Sequence, residues 1–131
     1  MHKPYLIDNL KFDLRVYVLV YGVDPLRVFV FKEGLARFAT EPYTGPYKNN
    51  LDNLYMHLTN YAINKGSGNF VKGNDEDDDS GHKRSMSSVL QHMEETEENF
   101  NAEDMMDSIE DIAVKTVIAG QASLHHSYRT C

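Results

Sequence analysis

Hydrophobic and polar positions alternate with a period of two early in the chain and shift to helical spacing toward its end. In "KFDLRVYVLV", Lys11 to Val20, the even positions Phe12, Leu14, Val16, Val18 and Val20 are apolar. Strand geometry sends them to one face, which would be the core face. The odd positions open with Lys11, Asp13 and Arg15 before turning to Tyr17 and Leu19. Three charges of mixed sign therefore stand in a row, about 6–7 Å between neighbours. "YGVDP", Tyr21 to Pro25, is rich in turn formers. "LRVFVFK", Leu26 to Lys32, then sets Leu26, Val28 and Val30 against Arg27, Phe29 and Phe31. Both of its faces are largely apolar, which predicts a strand covered on two sides. The two strands make an antiparallel hairpin. Gly34 marks a turn or bulge ahead of a short third strand around Leu35 to Ala39.

"EPYTGPYKNNLDN", Glu41 to Asn53, reads as loop from its Pro, Gly and Asn content. "LYMHLTNYAIN" returns to apolar alternation at Leu54, Met56 and Leu58, which predicts a further strand. A second loop region spans Lys65 to Arg84. Its acidic run, Asp75 to Asp79, reads as a solvated, mobile insertion and lacks the alternate carboxylates of an EF-hand. Two helices close the chain. Ser85 caps the first, with Met86, Val89, Leu90 and Met93 at helical spacing. Asn101 caps the second, with Glu103 and Asp104 in its first turn, where the helix dipole favours them. Met105, Ile109, Ile112, Ala113, Thr116, Val117 and Gly120 mark its buried stripe. Strands followed by helices predict an α+β fold rather than alternating βαβ units.

Composition narrows this further. With 131 residues, 41% hydrophobic and 25% charged, the chain suits one domain with a modest core. No apolar run approaches the roughly 20 residues of a membrane helix, and the start lacks a signal-peptide pattern. Cys131 is the only cysteine, so no internal disulfide forms and a reducing, intracellular compartment is expected. The net charge of −7 is uneven: residues 1–66 carry eight Lys/Arg against six Asp/Glu, and residues 67–131 five against fourteen. Bulk-charge binding of nucleic acid is thereby excluded, while a local cationic pocket in the first half remains open.

Three clusters carry candidate chemistry. In the Lys11, Asp13, Arg15 ladder, two cations flank a carboxylate, which suits a polyphosphate. The same ladder serves equally as an exposed strand face with cross-strand ion pairs. "HLTN", His57 to Asn60, gathers imidazole, hydroxyl and amide, groups able to give a nucleotide directional hydrogen bonds. A satisfied buried His or a simple turn would look the same. Arg37 and the pair Lys83–Arg84 are, by themselves, surface cations. The usual short phosphate, redox and metal motifs are missing.

Taken in order, "KPYLIDNLKFDLRVYVLV", "DPLRVFVFKEGLARFAT", "NNLDNLYMHLTNYAINK", "HKRSMS" and "IEDIAVKTVIAG" strongly resemble the tubulin–tyrosine ligase-like family, across nearly the whole chain except the acidic loop and the segment after it. The resemblance implies a partial ATP-grasp fold, with residues 1–131 forming the start of its C-terminal lobe and about 66–84 a variable acidic loop. It places the adenine-gripping lobe before Met1 and the metal-binding residues past Cys131, so this chain by itself would not turn over. It also implies ATP and Mg²⁺ as cofactors, with tubulin tails or microtubules and free glutamate as partners. No nucleic acid and no membrane are expected. The setting it implies is cytoplasmic and cytoskeletal, with cilium, flagellum and basal body as candidates.

The family's chemistry phosphorylates a carboxylate on tubulin, and the amino group of a free amino acid then attacks the acylphosphate. By resemblance, Lys11 and Asp13 contact the nucleotide, and Arg15 faces the γ-phosphate and acceptor carboxylate. His57, Thr59 and Asn60 match the nucleotide-contacting "HLTN". Arg37, Tyr61 and Lys83 match positions that hold the incoming amino acid in the glutamate-adding branch. "GLARFAT" and Lys-Arg-x-x-Ser are closer to polyglutamylases than to tyrosine ligase; glycine- or tyrosine-adding relatives and a non-catalytic tail-binding module are the alternatives. Asn9 stands where the family has glycine after "LID", a mild change because Asn tolerates left-handed backbone.

Overall fold

The computed structural model describes residues 3–73 and 81–130. Strand β1 (Leu6–Ile7) pairs antiparallel with β2 (Leu10–Val23), Leu6 opposite Lys11 and Ile7 opposite Leu10. The two residues between them, Asp8 and Asn9, have φ of 54° and 60°. A two-residue hairpin turn of type I′ needs positive φ at both central positions, and Asp and Asn are among the few side chains that accept it. The departure from glycine at Asn9 thus keeps the turn.

Strand β3 (Leu26–Phe38) follows β2 after Asp24–Pro25, whose peptide bond is cis. Strand β4 (Lys83–Ser85) pairs antiparallel with the end of β3, with Leu35 opposite Ser85, Ala36 opposite Arg84 and Arg37 opposite Lys83. The sheet order is β1-β2-β3-β4. Several expectations change here. The predicted turn shrinks to Asp24–Pro25, because the β-branched and aromatic residues before it extend the strand. Gly34 does not end a strand: β3 runs through it, with its N–H donated to the Glu33 carboxylate over 2.8 Å. The separate third strand is the second half of β3. Lys83 and Arg84 leave the predicted loop and enter β4.

Two short helices were not foreseen. Helix α1 (Leu54–His57) and helix α2 (Tyr61–Asn64) flank residues 58–60. The predicted strand at Leu54, Met56 and Leu58 is therefore wrong. Only Met56 is buried, and five residues of alternation are too few to separate the two periods. Helix α3 (Met86–Thr96) starts where expected, with the Ser88 N–H donating to Ser85 Oγ over 3.1 Å. Its four apolar positions, Met86, Val89, Leu90 and Met93, are all buried. Helix α4 (Ala102–Thr130) is capped by Asn101, whose Oδ1 accepts from the Asp104 N–H at 2.9 Å.

The chain divides into two compact units. Unit 1 holds residues 1–15 and 35–89. Its core includes Ile7, Ala36, Phe38, Ala39, Met56, Met86 and Val89. Phe12 stacks on Phe38 at 5.2 Å between centroids, and Tyr5 meets the edge of Phe12 at 6.4 Å. Because alternate residues face opposite ways, Phe12 and Phe38 line one face of this sheet while Lys11, Asp13 and Arg37 line the other.

Unit 2 holds residues 16–34 and 90–131. Gln121 Nε2 donates to the Val23 carbonyl over 3.0 Å, tying α4 to the hairpin end. This hairpin is covered less than predicted: Leu26, Val28 and Val30 are half-buried, and the opposite side of the strand is open. Val18 and Val20 are exposed on the expected core face, as are Leu19, Phe29 and Phe31 on the other. The predicted stripe of α4 is likewise only half-buried, and Ile112 and Thr116 are exposed. Periodicity reports which residues share a face; it does not report whether anything packs there. The acidic run at Asp75 to Asp79 lies outside the described residues. Among those described, no helix is long and apolar enough to cross a membrane.

Candidate functional site

All nine candidate site residues fall within unit 1. The charged ladder rides on β2. Lys11 is half-buried, and its Nζ donates to the His57 backbone carbonyl over 2.8 Å. This contact brings the ladder and the "HLTN" segment together across 46 positions of sequence. The β2 backbone is anchored at the same place, since the Ala39 N–H donates to the Lys11 carbonyl at 2.8 Å.

Asp13 and Arg37 form a two-point ion pair. Arg37 Nε donates to Asp13 Oδ1 over 3.0 Å, and Nη2 meets Oδ2 in a second, short contact. The planar fork of a guanidinium matches a carboxylate in this way. The pair is partly exposed, with side-chain exposures of 26% for Arg37 and 38% for Asp13. Its worth lies near the modest range of surface pairs, about 0.2–1 kcal/mol. The cross-strand reading of the ladder therefore holds for Asp13. It does not remove Asp13 from the site; it places Asp13 where it can orient Arg37. Lys83 stands directly opposite Arg37 on β4, so both project from the same face. Arg15 is exposed, two residues along β2 from Asp13.

The imidazole of His57 is engaged by protein: Nε2 lies 3.0 Å from the Asn50 carbonyl, and the ring meets the edge of Tyr43 at 5.9 Å. Thr59 is half-buried and Asn60 is exposed on the irregular stretch between α1 and α2. Tyr61 is 54% exposed, with its ring edge-on to Phe70 at 5.8 Å and the Lys65 ammonium 5.9 Å from its centroid. The structure thus brings Lys11 to His57, and Asp13 to Arg37 beside Lys83. Tyr61 belongs to a different cluster, continued by Phe70 stacked on His82 at 5.7 Å.

Two further residues matter that were not among the expected site residues. Arg84 is not the surface cation expected of it: its side chain is only 16% exposed. Its guanidinium lies 4.3 Å from the Phe38 ring centroid, donates to Asp8 Oδ2 over 2.9 Å and donates to the Gly81 carbonyl over 3.1 Å. Strand alternation alone would have put Arg84 on the Phe38 face, had β4 been recognised. The other is Asn64, 1% exposed and bonded on every side. Nothing in its local sequence marked it.

His82 sits at the base of the acidic loop. Its Nδ1 accepts from the Val71 N–H over 3.0 Å, and its backbone N–H donates to the Val71 carbonyl over 3.1 Å. Burial holds its pKa below the ordinary 6.5; a backbone hydrogen bond with Val71 opposes this, and the Arg84 charge adds to the lowering. The two His82–Val71 bonds close the loop at its stem. Lys83 therefore keeps its place opposite Arg37 despite the acidic run before it.

Chemically, the Lys11, Arg37 and Lys83 face offers ammonium and guanidinium donors, and the segment whose backbone Lys11 touches carries a hydroxyl and an amide, groups that fit phosphate and carboxylate oxygens. For a divalent ion it offers less: among the described residues, no group of three or more His, Cys, Asp or Glu gathers.

An antiparallel sheet of four strands followed by helices is the α+β architecture the family resemblance implied. Residues 1–131 match the model of the tubulin-tyrosine ligase family. The chain belongs to that family. It is 50% identical over its full length to the zebrafish (Danio rerio) tubulin polyglutamylase ttll6, covering 16% of that protein. It is 52% identical over 98% of its length to human (Homo sapiens) tubulin polyglutamylase TTLL13, covering 15% of it. A probable beta-tubulin polyglutamylase of Tetrahymena thermophila is 48% identical over the whole of this chain, which covers 11% of that protein. The chain thus spans about a sixth or less of the length of these relatives.

Proposed function

We propose that this chain supplies one wall of the active site of an ATP-dependent ligase that joins glutamate to the glutamate side chains of tubulin tails. The observation that carries this reading is the Lys11–His57 contact, which joins the ladder and "HLTN" on one surface beside Asp13, Arg37 and Lys83. The names of the three relatives described above, each a tubulin polyglutamylase or probable one, support the choice of reaction.

In this reading Lys11, Asp13, His57, Thr59 and Asn60 hold the nucleotide. Arg15 bridges the γ-phosphate and the acceptor carboxylate, and Arg37, Lys83 and Tyr61 receive free glutamate. The γ-phosphoryl passes from ATP to a tubulin carboxylate oxygen, giving an acylphosphate and ADP. The amino nitrogen of glutamate then attacks the acyl carbon, inorganic phosphate leaves, and an isopeptide bond forms after loss of a proton. Two anions must approach each other for the first step, and the cations of this face oppose their repulsion. Mg²⁺, when bound with ATP, would neutralise further phosphate charge. Two cations, Arg37 and Lys83, answer the two carboxylates of glutamate. The reading also carries a cytoplasmic, cytoskeletal setting, with cilium, flagellum or basal body within it.

The test is a chimera in which the matching segment of zebrafish ttll6 is exchanged for these 131 residues. It should incorporate labelled glutamate into tubulin only with ATP, and Arg15→Ala should abolish incorporation while leaving the fold intact. A folded chimera that transfers glycine or tyrosine instead, or binds microtubules without ligating, overturns the assignment.

A further inference from the structure

We propose that Asn64 is a positioning residue for the nucleotide-facing residues 58–60, an inference that rests on the ligase function proposed for this chain. Thr40 and Asn64 are the buried polar side chains of the described core, 4% and 1% exposed, and they are bonded to each other. Asn64 Oδ1 accepts from Thr40 Oγ1 over 2.9 Å and from the Thr40 N–H over 3.1 Å. Its Nδ2 donates to the Leu58 carbonyl over 2.8 Å and to the Asn60 carbonyl over 3.2 Å. A primary amide has two donors and one oxygen with two lone pairs, and here all are used.

The arrangement has a consequence for Thr59. Residues 58–60 belong to no strand or helix, lying between two turns of four residues each. The carbonyls on either side of Thr59 are both held by one side chain, which is itself fixed to the residue two beyond the end of β3. Leu58 is held a second time through its N–H, donated to the Leu54 carbonyl over 2.9 Å. Asn64 therefore sets where the Thr59 hydroxyl and the Asn60 amide stand relative to the ladder on β2. A misplacement of about 1 Å in such a group costs up to about a hundredfold in catalysis.

Two variants of the ttll6 chimera test this. Asn64→Asp keeps an acceptor for Thr40 but turns an oxygen toward the Leu58 and Asn60 carbonyls. Thr40→Val preserves shape and backbone while removing one donor to Asn64. The expected result is a KM for ATP raised about tenfold by Asn64→Asp and about threefold by Thr40→Val, with the KM for glutamate unchanged. An unchanged KM for ATP in both variants overturns the proposal. So does a parallel loss of kcat and both affinities that follows the folded fraction. Failure of the parental chimera, which carries the native Asn64, sinks the functional reading instead. Positioning is then read in the 131-residue chain by amide exchange. Asn64→Asp should speed exchange at Leu58 and Ile63, next to the carbonyls that lose their donor, but not at Thr40, which keeps its acceptors, or in β2; unchanged rates at Leu58 and Ile63, or equal acceleration in β2, refute it.

Discussion

The ammonium of Lys11 on β2 rests on the backbone carbonyl of His57 at the end of α1, 2.8 Å away. The contact is made to main chain, so it does not depend on which side chain stands at position 57. A charge-assisted hydrogen bond of this kind fixes the ladder against the irregular stretch that begins one residue later. It uses one of three ammonium donors, which leaves Lys11 chemically able to meet phosphate as well.

Removing that ammonium should loosen the joint. Lys11→Met keeps the aliphatic stem and leaves the half-buried carbonyl without this donor, at a cost of about 1–2 kcal/mol. Urea unfolding of the chain measures it, and a midpoint equal to wild type would mean that the contact contributes nothing to stability.

The Asp13–Arg37 pair is expected to couple weakly in stability and strongly in function. A double-mutant cycle with Asp13→Asn and Arg37→Gln should return no more than about 1 kcal/mol, because both side chains are partly solvated. In the chimera, Asp13→Asn should raise the KM for glutamate by releasing Arg37 from its fixed orientation. An unchanged KM for glutamate would separate Arg37 from the amino-acid site.

Gly81 should tolerate no side chain. Its φ is +83°, and an added Cβ would lie 2.6 Å from the Gly73 nitrogen and 2.9 Å from the Val71 carbonyl oxygen. These are backbone atoms that cannot move aside cheaply. Gly81→Ala should cost about 1–3 kcal/mol, seen as a lowered Tm, and should disturb the Arg84 contact to the Gly81 carbonyl.

Stability should rise with pH across the titration of His82. Its folded pKa is lowered, first by burial, so the native chain binds fewer protons than the unfolded chain just below pH 6.5. The contribution is fully present above the ordinary value and is lost as pH falls through 6.5 toward the folded pKa. His82→Phe, which can still stack on Phe70, should flatten that part of the profile. Urea midpoints at about pH 7.5 and about pH 5.5 check it; an identical slope in the variant would assign the effect elsewhere.

Arg84 should resist exchange for lysine. Its plane lies against Phe38 while two of its nitrogens reach Gly81 and Asp8, and an ammonium cannot reproduce that fork. Arg84→Lys is expected to lower stability by about 1–2 kcal/mol, read by denaturant unfolding. A loss no greater than that of an exposed-site change such as Lys115→Arg would refute the clamp.

The sequence by itself determined what local rules can determine. Period-two alternation located the hairpin, Ser85 and Asn101 announced two helix starts, and Asn9 offered a residue that accepts positive φ. The ladder was legible because three side chains two apart must share a face. Tertiary structure alone decided what meets that face. Short segments such as residues 54–64 carry too little periodicity to separate strand from helix, and their conformation depends on hydrogen bonds to distant groups: Lys11 to His57, Thr40 to Asn64. The fates of Arg84 and of the apolar hairpin face were equally hidden, because burial depends on which surfaces are brought together, and neither composition nor spacing encodes that directly.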